Sequence, residues 1–385
     1  MNKICNYDDC SKCKACMNIC PKSAIFIKKN EDGFDYPIID MDKCIDCGLC
    51  KKVCYNNNEI LFNRTLKYYS SWTTNEEIRN SSASGGTITQ IYINALKKGY
   101  ICYGVELTKE LKAEFIEIKC EDDLKKVKNS KYVYSDVKNV YQNIKKQLKE
   151  NKVLFVAMPC QIEALKRVVG FDNENLVTID IVCHGMGPSE FFTQHVEYVK
   201  EKNKVDEIDN ITFRTNNIFD ITIYDNDERP IILKEKTDAY LIGYHNGIIY
   251  RKSCYNCKFA SRDRVGDISV CDYWNLNEYE EKNSKKGITG ILVNTEKGIN
   301  FFQDNADELF VEEKNDSGIE KIVALNRPCL KTKYREEFED ELKKNVDFEK
   351  AINKVLKNKI IINKILFSRY AVNIKRLIKK IIKNR

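Results

Sequence analysis

The chain has 385 residues, 43% of them apolar and 10% aromatic, which suits two or three folded domains and excludes a disordered chain. Its net charge of +7 is local: residues 352–385 hold eleven Lys or Arg and no acid, which leaves the rest at −4 and argues against nucleic acid as a partner, since that needs a basic patch on a folded reading surface. No run of 18 apolar residues and no apolar signal core occurs, so the seventeen cysteines are expected as thiols and metal ligands in a reducing cytoplasm, not as disulfides.

Residues 1–60 contain an internal repeat. Cys10-x2-Cys13-x2-Cys16-x3-Cys20-Pro21 recurs 34 residues later as Cys44-x2-Cys47-x2-Cys50-x3-Cys54, where Tyr55 replaces the proline. Three cysteines two residues apart let one loop wrap an iron–sulfur cube, and in two-cluster ferredoxins the last cysteine of each run serves the other cube. This pattern predicts two 4Fe–4S clusters, one on Cys10, Cys13, Cys16 and Cys54, the other on Cys44, Cys47, Cys50 and Cys20. Zinc sites usually pair two CxxC units and fit the run less well. Short strands are expected at 24–27 and 34–39, joined by a turn at 30–33. Cys5 lies outside the repeat and reads as a free thiol.

In residues 61–150, Ser81–Gly86 is a small, flexible segment, and Ile88, Ile91, Tyr92, Ala95 and Leu96 follow at helical spacing up to Gly99. A glycine pair before a helix can present N–H groups to a phosphate, although it is more often only a turn and a cap. Strands are expected at 100–107 and 114–119, and a helix is expected to begin near Ser135.

Residues 151–330 read as an α/β region. The apolar run 153–158 ends at Pro159-Cys160-Gln161, a short helix follows, and a second apolar strand (176–182) ends at Cys183-His184-Gly185. Strand, helix, strand implies parallel strands and a right-handed crossover, with both cysteines at the ligand-binding edge. With Cys254-x2-Cys257 they supply four thiolates, enough for a third 4Fe–4S cluster. The competing readings are buried small residues beside a lone redox or zinc pair, with Cys271 as a rival ligand. His184 is a candidate catalytic proton donor or a hydrogen-bond partner of the site, whereas His195 reads as a packed core residue. In residues 331–385, Ile374, Leu377, Ile378, Ile381 and Ile382 alternate with lysines. This basic amphipathic helix suits either an anionic membrane surface or its own domain.

Together, Ser82–Gly86, Lys131–Asp136, Val153–Gln161, Cys183-His184-Gly185, Phe213-Arg214, Ser253–Ala260 and Asp267–Trp274 resemble the coenzyme F-420 hydrogenase/dehydrogenase beta-subunit family, in a form with a fused two-cluster ferredoxin. Met158 and Cys271 depart from its usual pattern. The resemblance implies a cluster in the C-terminal region and FAD near the helix start, with Ser84, Gly85, Gly86, Thr87 and Gln161 as contacts. It also implies an oxidoreductase passing electrons between clusters, flavin and an unidentified substrate, with polysaccharide biosynthesis as one setting. The alternative is an electron-transfer subunit that docks on a catalytic partner, or on the inner membrane face through residues 352–385. Either way a redox protein or small electron carrier is the expected partner. The expected architecture is an α+β ferredoxin-like domain (1–60) followed by an α/β region with a mostly parallel sheet. That region divides into a flavin-associated part (61–150) and a part with the third cluster (151–330), and a basic helical tail (331–385) closes the chain.

Overall fold

The computed structural model describes residues 3–30, 34–214, 218–315, 318, 321–344 and 346–367, in two compact units. The first comprises Met1–Ser189, Thr215–Ile218 and Tyr250–Leu330; the second comprises Glu190–Arg214, Phe219–Ile249 and Lys331–Arg385.

The first unit begins with the cysteine repeat. Each run closes on a short helix, α1 (Ala15–Ile19) and α2 (Leu49–Val53), and between them lies the antiparallel hairpin of β1 (Ile25–Lys29) and β2 (Asp35–Ile39). Residues 31–33 of the expected turn lie outside the described residues. The repeat extends to the backbone: Lys12 and Lys14 in the first run, and Asp46 and Gly48 at the same offsets in the second, are left-handed. These reversals fold the backbone into concave nests that aim N–H groups inward.

Next come β3 (Lys67–Thr73), α3 (Thr87–Lys97), β4 (Ile101–Leu107), β5 (Ala113–Ile118), α4 (Val140–Gln147), β6 (Val153–Ala157), α5 (Pro159–Val169) and β7 (Leu176–Ile181). The α4 helix starts at Val140 and not near Ser135, because the Ser135 hydroxyl donates to Gln161 and caps nothing. The second unit takes α6 (Ser189–Asn203), the antiparallel strands β8 (Ile208–Thr212), β9 (Ile221–Asp225) and β10 (Pro230–Leu233), and α7 (Ala239–His245). The chain then re-enters the first unit with β11 (Ile268–Asp272), β12 (Thr289–Val293), α8 (Glu296–Asp304) and β13 (Leu309–Lys314).

One eight-stranded sheet runs β13-β3-β12-β11-β7-β6-β4-β5. Its centre, β4, β6, β7 and β11, is parallel, as the crossovers require. Strands β12, β3 and β13 extend it antiparallel on one side and β5 on the other. The sheet is therefore mixed, where the sequence suggested a mostly parallel one, because β3 leaves its sequence neighbours and inserts between two strands more than 200 residues away. On one face Phe155, Ile162 and Leu165 share a core with Ile4, Ala15, Val53 and Tyr55 of the cysteine repeat.

In the second unit α9 (Lys333–Leu342) and α10 (Phe348–Leu366) pack together and α10 packs on α7. Phe348, Ala351, Ile352, Leu356 and Ile360 are buried. The described part of the basic tail is thus an integral helix. The isoleucine–lysine stripe at 374–383 lies outside the described residues.

Candidate metal centres

Three cavities in the first unit are walled by cysteines. The first is lined by Cys10, Cys13, Cys16 and Cys54, and also by Cys5. The second is lined by Cys20, Cys44, Cys47 and Cys50. Cys54 thus lines a cavity with the first run, and Cys20 with the second. The third is lined by Cys160, Cys183, Cys254 and Cys257, and also by Cys329. Among the described residues no three His, Cys, Asp or Glu side chains converge on a single-ion site; the thiols stand around the cavity walls instead.

Local sequence explains each placement. In the second cavity the Asp46 N–H donates to Cys44 Sγ over 3.4 Å, and the Ala24 N–H donates to Cys20 Sγ over 3.3 Å. In the third, β6 and β7 are adjacent and parallel, so Cys160, in the first turn of α5, and Cys183 leave the same sheet edge. The Gly185 N–H donates to Cys183 Sγ over 3.4 Å. Gly185 is needed where it stands. Its φ is +135°, and a Cβ there would sit 2.2 Å from the Tyr250 ring. The CxxC loop is brought in by Arg264, which donates to the carbonyls of Phe259 and Ser261 (3.0 Å each) and forms a fully buried ion pair with Asp180 on β7. That anchor carried no sequence signal, since an Arg–Asp pair 84 residues apart looks like any other.

Burial pushes most of these thiols up, Cys13 and Cys183 to about 12 and Cys254 to about 11. Desolvation disfavours the thiolate until a cation displaces the proton. Cys10 and Cys54 are the exceptions, held down to about 6 and about 7, each first by the hydrogen bond from Cys5, and Cys10 also by the charge of Arg251.

The third cavity carries a further mark. Tyr134 is 6% exposed and lines it, and its hydroxyl has no partner among the described residues. A buried O–H without an acceptor costs about 1–3 kcal/mol, and the sulfurs of an iron–sulfur cluster are acceptors of the right kind. The all-thiol donor sets and this orphaned hydroxyl fit such clusters.

His184 is exposed on the wall of the third cavity, with Nδ1 hydrogen-bonded to the Tyr250 hydroxyl. Cys271 lies on β11, directs Sγ to the Gly290 carbonyl at 3.7 Å, and lines none of the three cavities. Ser84–Thr87 stand together at the start of α3, which has no side-chain cap. The Ser84 hydroxyl donates to Asp272, and the Cβ direction of Gly85 is filled by Trp72 (2.7 Å) and the Gly287 carbonyl (2.8 Å). Gln161 is fully buried, with both ends of its amide bonded to Ser135 (2.8 and 3.2 Å). Cys5 and Cys329 are the wall residues that spacing did not reveal, because neither belongs to a run.

The first and third cavities share Ser11, Tyr55 and Asn56. The Tyr55 hydroxyl donates to Ser11 at 2.7 Å, and its ring meets Phe259 edge-on at 5.1 Å. The residue that replaces the proline of the repeat is thus a common wall.

Comparison with known proteins gives three family matches. Residues 9–58 match the 4Fe-4S dicluster domain. Residues 68–142 match the N-terminal part, and residues 150–318 the C-terminal part, of the coenzyme F420 hydrogenase/dehydrogenase beta subunit. The chain is 22% identical over 360 residues to the F subunit of the F(420)H(2) dehydrogenase of Methanosarcina mazei, covering 91% of this chain and 97% of that one. A chain in a structure of the F420-reducing NiFe hydrogenase complex from Methanosarcina barkeri is similar at 17% identity and a TM-score of 0.44, over 77% of this chain and 92% of that one.

Proposed function

Because this chain belongs to the coenzyme F420 hydrogenase/dehydrogenase beta-subunit family, we propose that it is an iron–sulfur oxidoreductase subunit built to hold three 4Fe–4S clusters. The observation that carries this reading is the gathering of fourteen cysteines around three cavities, two of which share a wall. Cys10, Cys13, Cys16 and Cys54 would hold one cluster, Cys20, Cys44, Cys47 and Cys50 the second, and Cys160, Cys183, Cys254 and Cys257 the third. Bound there, the clusters would supply one-electron transfer.

The protein's own contribution is insulation, orientation and charge. Tyr55 and Phe259 exclude water between the first and third cavities. Tyr134 offers a hydroxyl into the third. Cys47 is exposed, which makes the second cavity the side open to a redox partner protein. His184, exposed and orientated by Tyr250, is the group able to hold a proton beside the third cavity.

The subunit would also hold FAD. The uncapped start of α3, at Ser84, Gly85, Gly86 and Thr87, would offer it backbone N–H groups. Gln161 does not fit that role, since Ser135 occupies its amide. Flavin, when bound, would pair one-electron steps into two-electron chemistry on a substrate.

Anaerobic purification with metal and flavin quantitation tests the proposal. The expected result is about twelve irons per chain, four per site, and one flavin. About eight irons with zinc would remove the third cluster, and a flavin-free, iron-loaded chain would remove FAD.

A second reading, an electron-transfer subunit held at a membrane, is favoured by the end of α10. There Ile361, Ile362, Ile365, Leu366 and Phe367 are exposed beside the lysine-rich C-terminus. Among the described residues no helix is long and apolar enough to span a membrane, so such contact would be peripheral. Co-sedimentation with anionic vesicles, abolished in an Ile362→Ser/Ile365→Ser variant, is the result that supports it.

A further inference from the structure

Arg251 is 2% exposed, yet it makes no ion pair among the described residues. Its Nη2 donates to the Asp35 carbonyl at 2.6 Å and its Nε to the Cys10 carbonyl at 3.4 Å. Its guanidinium lies 5.2 Å from the Tyr36 ring centroid and 5.7 Å from that of Phe34. The Asp35 carboxylate does not neutralise it, being engaged by Lys12. A buried charge held only by carbonyls and ring faces is costly, and such charges are normally paired or placed beside metals.

Two thiol-lined cavities flank this cation. Arg251 lines the third cavity, and its own carbonyl accepts from the Cys254 N–H at 3.0 Å. Its side chain reaches the Cys10 carbonyl of the first. None of this reaches the second cavity, whose nearby cations, Lys22 and Lys51, are exposed.

We infer that Arg251 is the shared counter-charge of two adjacent cluster sites, a positioning residue that raises the reduction potentials of the first and third clusters together and leaves the second unchanged. The inference rests on the cluster reading above. Its sign follows from charge: a reduced cluster is more negative than an oxidised one, so a fixed cation beside it favours reduction, and net charge is among the determinants of cluster potential. Because one guanidinium serves both sites, the two potentials are tuned as a pair.

The test is an EPR-monitored redox titration of the reconstituted full chain, with iron counted in every sample. Arg251→Gln keeps a donor for the carbonyls and removes the charge. The oxidised-to-reduced ratio of the first and third clusters at a fixed potential is expected to rise about tenfold, a downward shift of about 59 mV for a one-electron couple. The second cluster should stay put as an internal reference. Arg251→Lys keeps the charge and should recover most of the shift, whereas a purely structural role would make it resemble Arg251→Gln. Unmoved potentials at full iron content, or equal movement of all three clusters, overturn the inference. A wild-type chain with fewer than three clusters overturns the cluster reading instead, and iron content reports that separately.

Discussion

At Gly185 the structure allows almost nothing but glycine. A methyl group would meet the Tyr250 ring in a left-handed backbone. Gly185→Ala is expected to cost at least about 2 kcal/mol from overpacking and strain, seen as a lower urea midpoint, and to release the Tyr250 hydroxyl from His184. The Cys-His-Gly motif is legible in the sequence as a candidate site, but its glycine is explained only by a ring 65 positions further on. Gln161 teaches the converse lesson. Its place after Pro159-Cys160 invites a ligand role, whereas the fold spends its amide on Ser135, a partner 26 residues earlier. A polar side chain next to a cysteine motif can as readily close a loop as face a cofactor.

At the element scale, His195 ties three helices of the second unit. From α6 its Nδ1 meets Glu349 of α10 at 2.8 Å, and its Nε2 meets Asp238, the N-cap of α7, at 3.0 Å. The rings of Tyr240, Tyr198 and Phe348 surround it. Burial opposes its charge, but the two carboxylates outweigh burial and raise it to about 10. A histidine raised in the folded state stabilises fully below its unfolded value near 6.5 and loses that contribution as pH climbs through about 10. Thermal stability should therefore fall between pH about 6.5 and 10. His195→Gln should flatten that decline and cost on the order of 3 kcal/mol at pH 6, because it strands buried carboxylates. Helical spacing and aromatic neighbours marked His195 as a core residue, and it is one. Its ionic partners were not legible, since both come from other helices. The same limit applies to α10, whose burial against α7 and α9 rests on contacts with other helices.

At the scale of the whole molecule, the cysteine repeat and the α/β sheet share one core. Deleting residues 1–60 removes Ile4, Ala15, Val53 and Tyr55 from it. At about 1.5–3 kcal/mol for each large apolar side chain, that loss approaches the entire stability of an ordinary domain. A chain of residues 61–385 is expected to lose its near-UV circular dichroism and to aggregate; a soluble fragment with intact near-UV signal would show that the sheet does not depend on the repeat. The sequence by itself determined the chemistry that this protein can hold: the two four-cysteine runs, the CxxC and the strand-end cysteines are short-range patterns, and thiolate spacing is a local property. It also determined the central strand–helix–strand unit, because short, largely apolar runs bounded by turn residues, with a helically spaced segment between them, read as buried strands joined by a crossover helix. The insertion of β3 between β12 and β13, the arrival of Cys5 and Cys329 on cavity walls, the Arg264–Asp180 anchor and the isolation of Arg251 between two cavities were decided by the tertiary structure alone. Each depends on contacts between residues far apart in the chain, where spacing carries no signal and only the closing of the core selects partners.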